Sequence, residues 1–346
     1  MNRTHGVLAA AQRLADEVLF PDAMRVDRLD ALPVAHLDVL AAAGLYGAPA
    51  PAAAGGPGLS LPEVAAVVEE LASGCLAVAF VLIQHFRLLM TLAADHAPPG
   101  LRDRWLKSAC EGRIRGGVVY AGLIPGPPQL RAEPADGGWR LEGTAPWVTG
   151  WGLIDLVQVL ARGPDDTVVS LIMDAAAQPG LTVTRQRLSA VDASVTVRLG
   201  FDRVVIPPDR FVEQVAFDPA ASVQPAGLRV NGSLALGVAR RCCRMLGPGP
   251  LDDEVTACRE RLDAALAAGP APMAEARAAA AELALRAAAA LAVRDGSHAV
   301  GTDQHAQRLA REAVFLLVFG SRPGIKSELL RLLGAVPTGP ARSSPG

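Results

Sequence analysis

The sequence of 346 residues predicts an α+β multidomain protein. Its expected parts are an N-terminal helical domain over 1–115, a central antiparallel β domain over 116–215, a C-terminal helical bundle over 216–335 and a disordered tail over 336–346. Three observations carry this division. Apolar residues recur at helical spacing before Gly116 and again after Asn231. Between them lie short runs rich in Val, Leu, Ile and Thr, separated by Gly, Pro and Asp turns. Half of the chain is hydrophobic (51%), enough to build a sizeable core for each part.

The elements follow in order. Residues 8–20 (LAAAQRLADEVLF) carry a helical apolar pattern, and a second helix over 34–43 stops at Gly44. A Pro/Gly loop spans Ala48 to Gly58. Ser60 then caps a helix with Pro62 in its first turn and Glu63 three residues on. That helix runs to about Ala94 with a break near Gly74, and a short one covers 100–110. The strings GVVYAGL, WRLEG, DLVQVLAR, TVVSLIMD, LTVTRQRL and SVTVRLGFDRVVI predict six or seven strands over about 116–212. Helices over 233–246, 252–267, 273–293, 304–319 and 325–333 complete the pattern.

Composition excludes several classes of function. A net charge of −2 argues against a general nucleic-acid binder. Cys75, Cys110, Cys242, Cys243 and Cys258 are odd in number and form no C-x-x-C pair, so neither a disulfide framework nor a metal site is expected. The N-terminus lacks a signal-peptide layout. The densest apolar run, Cys75 to Ile83, is far shorter than the ~18 residues a membrane span needs. No membrane span is therefore expected, and the protein is expected to be cytoplasmic. Glu69 and Glu70 read as helix residues facing arginines or solvent. Arg240, Arg241 and Arg244 read as a solvated or interface face.

The segment that stands out is Trp147-Val148-Thr149-Gly150, a turn inside the β domain. Its residues alone leave two readings: a core tryptophan at a sheet edge, or a flat apolar wall with donors beside it for a ring-shaped cofactor.

Several strings resemble acyl-CoA dehydrogenases. LDVLAAAGLYG with PAAAGGPGLS is similar to the family's helix ending in glycine before a Gly-Gly loop. VVEELA is similar to the helix that follows. WRLEGTAPWVTGWGLIDLVQVLAR resembles its strand–turn–strand, VRLGFDRVVIPPDRFV its closing strand and proline exit, and LAREAVFLLVFG its late arginine–acid–alanine helix. The resemblance covers residues from about 8 to 335. It implies an acyl-CoA dehydrogenase-like FAD enzyme that desaturates an acyl-CoA or another acyl thioester, working as a homo- or hetero-oligomer. It also implies that Trp147 lies against the flavin and that the Thr149 hydroxyl is a donor to it.

Three departures accompany the resemblance. The family's Thr-Glu-Pro-Gly loop is replaced by VVYAGLIPGPPQLRAE, with Leu123 and Ile124 at the threonine and glutamate positions. Cofactor contact there falls to the backbone of Tyr120, Gly122 and Leu123. The α-proton base, a carboxylate in a dry site, is replaced by Gly320 after Arg311-Glu312-Ala313, and the alternative position falls at Gly227. No catalytic base is thus assigned. The segments that hold the flavin's adenine and pyrophosphate in a neighbouring subunit are reduced to RMLGPGPLDDEV and RDGSHAVGTDQH. His298, Asp303 and His305 in the second are expected in an exposed loop. An ordinary homomeric dehydrogenase does not account for these losses. A base-less subunit of a heteromeric enzyme, paired with a paralogous chain, accounts for all of them. A flavin-dependent monooxygenase of the same fold and a catalytically inactive scaffold subunit are the alternatives.

Overall fold

The structure is a computed structural model that describes residues 3–219 and 224–335. The expected tail over 336–346 lies outside the described residues. The chain divides into two compact units, Met1–Gln224 and Pro225–Gly346.

The first unit opens with helices. α1 (Arg3–Leu14) passes through a π-helical turn at Ala15–Leu19 into α2 (Phe20–Val26), so the pattern at 8–20 is the middle of a longer rod. α3 (Val34–Ala42) ends before Gly44, which adopts φ +69°. α4 (Leu61–Gly74) starts as expected. The Glu63 carboxylate accepts the Ser60 N–H at 2.7 Å and the Ser60 hydroxyl at 2.8 Å. Cys75 is extended at φ −149°, which separates α4 from α5 (Leu76–Ala93). Gly74 makes the break tight: a Cβ there would lie 2.8 Å from backbone atoms of Ala15, on the widened π turn.

α5 is long and apolar enough by composition to cross a membrane, but 78% of it is buried inside this fold, as a core helix. On its inner face His85 Nδ1 accepts the Gly116 N–H at 2.9 Å, and the ring meets Tyr46 edge-on at 5.0 Å. Burial pushes the His85 imidazole down to about 3, so it stays neutral. Glu69 and Glu70 are buried, not facing solvent. α6 (Pro99–Cys110) completes the helical part.

A single sheet follows, of β1 (Gly116–Val119), β2 (Leu130–Ala135), β3 (Gly138–Val148), β4 (Leu156–Arg162), β5 (Thr167–Asp174), β6 (Leu181–Arg185), β7 (Val197–Ile206) and β8 (Phe211–Ala216). Its order is β6-β7-β3-β2-β4-β5-β8, with β1 also on β4. Two features differ from expectation. The sheet is not purely antiparallel, since β1 runs parallel to β4, from Gly116↔Leu156 to Val119↔Val159. The whole β2–β3 hairpin intervenes between these two strands, and such a connection returns the chain in the same direction. There are eight strands instead of six or seven, because LRAEPA and FVEQVA are half exposed and carry charge, which masks their pattern.

The second unit is helical: α7 (Pro225–Leu246), α8 (Pro250–Ala268), α9 (Pro270–Asp295), α10 (His305–Val318) and α11 (Pro323–Leu332). α9 packs against all four others, and its buried alanines let their backbones come close. Of the arginine cluster on α7, Arg241 is buried and acts electrostatically on His305, while Arg240 and Arg244 are half-buried. All five cysteines are buried and none forms a disulfide. Among the described residues no group of His, Cys, Asp and Glu is arranged to hold a metal ion.

Candidate functional site

The Trp147 turn is built by a bulge. Between Ala145↔Leu199 and Val148↔Val197, β3 carries one residue more than β7. The extra residue re-aims the strand end, and Trp147 takes φ +64° and stands 64% exposed. Its N–H donates to Gln186 Oε1 at 2.8 Å. Gly150 follows at φ +92°. The Gly150 N–H donates to the Ser194 carbonyl at 2.9 Å, and the Trp151 N–H to the Val195 carbonyl at 3.2 Å.

The partner loop, residues 186–196, is itself strained. Val191 (φ +53°) and Val195 (φ +51°) are both left-handed. β-Branched residues avoid that region, and each such residue costs on the order of 1–3 kcal/mol. The strain persists because the loop is held from several sides. Asp192 Oδ1 accepts the Leu188 N–H at 2.8 Å, the Ala193 carbonyl accepts the Leu32 N–H at 2.9 Å, and Arg187 bridges Asp30 at 2.7 Å and Asp192 at 3.0 Å. The Arg187 hydrogen bond holds the Asp30 carboxyl below its ordinary range. Three left-handed non-glycine residues thus converge on one turn, a concentration typical of functional sites.

Thr149 is buried, 3% exposed, and its Oγ1 lies 3.1 Å from Thr196 Oγ1. Thr196 Oγ1 in turn lies 3.1 Å from Ser194 Oγ. A chain of three hydroxyls therefore runs from the turn into the strained loop.

The Tyr120–Leu123 segment is a tight turn beyond β1, and β1 itself passes close to the first site. A Cβ at Gly117 of β1 would be 3.4 Å from the Thr149 carbonyl oxygen. Gly122 sits directly on β4, where a Cβ would lie 2.5 Å from the Ala161 carbonyl carbon, so glycine is required. The Leu123 N–H donates to the Tyr120 carbonyl at 2.9 Å, and the Leu123 side chain packs with Val118, Leu160, Val168 and Phe217. Arg162 clamps the turn. Its Nε and Nη2 donate to the Gly122 carbonyl at 3.2 Å, Nη2 also reaches the Ile124 carbonyl at 3.4 Å, and the guanidinium stacks 3.4 Å over the Phe217 ring. The Leu123 amide is thus engaged within the turn. The surfaces offered outward are Tyr120 and Ile124, each 40% exposed.

A cleft of about 440 Å³ opens past the Trp147 turn, lined by Gly152–Asp155, Asp38 and the arginines Arg113 and Arg115. Its arginines are paired, Arg115 Nη2 with Asp38 at 2.6 Å and Arg113 with Glu111, and the Asp155 carboxylate accepts the Arg115 backbone N–H at 2.8 Å.

In the second unit, Gly320 follows α10 at φ +61°, and a Cβ there would lie 3.1 Å from Asn231 Nδ2. Arg277, fully buried, donates to the Leu316 carbonyl at 2.9 Å and caps the end of α10. A Cβ at Gly227 would meet nothing within 4 Å. Neither position carries a carboxylate. His298 and Asp303 are exposed as expected. His305 is half-buried instead, because its Nδ1 lies 3.2 Å from Arg308 Nη2. Burial first, then Arg308 and Arg241, push the His305 imidazole down to about 4.

Gln186, Ser194, Thr196 and Arg162 complete the neighbourhood of the nominated residues. One signal pointed to the first two: the polar stretch QRLSAVDAS interrupts the strand alternation between LTVTR and VTVRL, and Thr196 follows inside the latter. Nothing in the sequence marks Arg162, which joins the Gly122 and Ile124 carbonyls, the Asp166 carboxylate and the Phe217 ring.

Replacing Trp147 by glycine relieves the left-handed strain, worth about 1–2 kcal/mol. It also adds freedom to the unfolded chain, worth about 0.5–1 kcal/mol in the opposite sense. Little packing is lost at an exposed position. Trp147→Gly is therefore expected to unfold within about 1 kcal/mol of the wild type in urea. A large loss of stability would instead make Trp147 a packing residue.

Residues 3–113 match the family model for the N-terminal domain of acyl-CoA dehydrogenases. Benzylmalonyl-CoA dehydrogenase of Aromatoleum aromaticum is 29% identical over 241 residues, which cover 66% of this chain and 63% of that protein. Butyryl-CoA dehydrogenase of Megasphaera elsdenii shares the fold at a TM-score of 0.81 and 18% identity, over 96% of this chain and 98% of that one. The FAD complex of PigA does so at 0.78 and 18%, over 96% and 98%. At such identities the two structures speak for the fold alone. The chain spans 60–63% of the length of the curated relatives it matches first. The first third of the chain thus matches the acyl-CoA dehydrogenase N-terminal domain, and nearly all of its length shares the acyl-CoA dehydrogenase fold.

Proposed function

We propose that this chain is an FAD-binding oxidoreductase subunit that takes part in α,β-desaturation of an acyl-CoA thioester, within a mixed oligomer whose paralogous subunit brings the proton-abstracting base. The observation that carries the reading is the Trp147 turn. A large aromatic face is held out in solvent by a strained backbone that three hydrogen bonds to a strained loop keep in place. That fits a flat ring, and no fold-stabilising role explains it.

When bound, the flavin supplies the electron-accepting chemistry. The chain's own residues do the rest. Trp147 forms a wall for the ring, Thr149 offers a hydroxyl, and Gly122 lets the Tyr120–Ile124 turn lie flat on β4, where it presents apolar surface. The base comes from elsewhere, since Gly320 and Gly227 carry no side chain.

The visible spectrum of the chain purified alone, and after co-expression with a paralogue, tests this. Flavin absorbance and acyl-CoA oxidation are expected in the co-expressed complex and not in the chain alone. A chain that alone bound flavin stoichiometrically and oxidised an acyl-CoA would refute the shared-site reading. The glycine at 320 also favours a second reading, a flavin-dependent monooxygenase, whose chemistry needs no α-proton base. Turnover that depends on a flavin reductase and oxygen marks that case.

A further inference from the structure

We propose that Ser194 and Thr196 are positioning residues that present the Thr149 hydroxyl as a hydrogen-bond donor to the cofactor, an inference that rests on the flavin reading above. Thr149, Thr196 and Ser194 are 3%, 2% and 0% exposed, and their oxygens are joined by two contacts of 3.1 Å. Three hydroxyls carry three protons, and two contacts consume two of them. The third is left on one of the three oxygens.

Among the described residues, Thr196 is the only group that bonds Ser194 Oγ. If the chain pointed from Thr149 toward Ser194, the Ser194 proton would be stranded in the interior, and if both ends donated to Thr196 the Thr196 proton would be stranded instead, each the costlier arrangement. Pointing the other way, Ser194 donates to Thr196 and Thr196 to Thr149. The spare proton then sits on Thr149, the end nearest the surface. The loop cannot easily turn to undo this. Ser194 is bracketed by the left-handed Val191 and Val195, and its carbonyl holds the Gly150 N–H at 2.9 Å.

The ligand group this donor takes is an acceptor, a ring nitrogen or a carbonyl oxygen. A ring nitrogen that accepts in oxidised flavin carries a hydrogen in reduced flavin, and then it no longer accepts from Thr149. Reversing the chain to accommodate the reduced form strands the Ser194 proton. The hydroxyl chain therefore favours the oxidised cofactor.

The test uses the co-expressed, flavin-loaded complex and reads affinity for oxidised flavin and midpoint potential beside the thermal midpoint. Thr196→Val, which keeps the shape, is expected to weaken oxidised-flavin binding several-fold. It is also expected to raise the potential by about 30 mV, equal to a tenfold shift in the oxidised-to-reduced ratio of a two-electron couple. Thr149→Val is expected to move both in the same direction, Ser194→Ala less so, and Thr196→Ser to restore wild-type values. Ser194→Ala carries the test if Thr196→Val fails to fold. The proposal is overturned if Thr149→Val shifts the potential while Thr196→Val and Ser194→Ala leave it unchanged, or if Thr196→Ser fails to rescue. A wild-type complex without flavin absorbance would remove the flavin reading first, before any variant is compared.

Discussion

Arg308→Met is expected to destabilise the second unit by about 3 kcal/mol, the low end of what breaking a buried ion pair costs. Arg308 and Glu312 are both buried, one turn apart on α10, with Nη1 to Oε1 at 2.6 Å. Removing the guanidinium leaves a carboxylate in the interior. The loss falls short of the usual upper limit because the nearby Arg241 adds positive charge to the same cluster, as its effect on His305 shows. The double variant Arg308→Met/Glu312→Leu is expected to recover most of the loss, since an apolar pair of similar volume avoids the desolvation penalty altogether. Guanidinium unfolding followed by far-ultraviolet circular dichroism measures both. A double variant as unstable as the single one would show that α10 depends on Arg308 for packing and not for charge compensation.

How much of this was legible in the sequence depended on whether a residue acts through its neighbours in the chain or across the fold. Ser60, Pro62 and Glu63 act within one turn, and the capping box could be read directly. Gly44 and the break after Gly74 were legible for the same reason. The parallel pairing of β1 with β4 was not, because it depends on where an intervening hairpin goes. The Trp147 turn was found by resemblance, but its bulge, its left-handed backbone and its clamp on Gln186 are products of register with β7 and of a loop some forty residues on. The buried state of Glu69, Glu70 and Arg241 was hidden because a charge pattern on a helix looks the same whether the facing surface is water or another helix. Gly320 and Gly227 were legible as absences. What replaces their missing carboxylate lies outside this chain's own side chains in the reading proposed above.

Stability is expected to fall as the pH drops from about 6.5 toward 3, and His85 is the main cause in the first unit. Its imidazole is held neutral down to about 3 by burial, against about 6.5 in an unfolded chain. Below 6.5 the unfolded state binds a proton that the folded state refuses, so unfolding gains up to about 1.4 kcal/mol for each further pH unit. The contribution is absent above 6.5, grows on acidification and levels off below 3, where it reaches roughly 5 kcal/mol. Asp22 and Asp30, whose carboxyls are held below their ordinary range chiefly by hydrogen bonds from Arg25 and Arg187, add to the loss only once the pH falls below the ordinary carboxylate range. His85→Asn separates these causes. Its side-chain oxygen can still accept the Gly116 N–H, as His85 Nδ1 does at 2.9 Å, but it does not titrate. The variant is expected to be less stable at pH 7, through lost packing against Tyr46, and to lose markedly less stability than the wild type between pH 6.5 and 4.5. Thermal midpoints across that range decide the matter. Parallel curves for the two proteins would mean that His85 is not the group that takes up the proton. The residual slope in the variant would then fall to His305 in the second unit, held down to about 4 by burial and by Arg308 and Arg241, and a Gln at that position would be the next comparison.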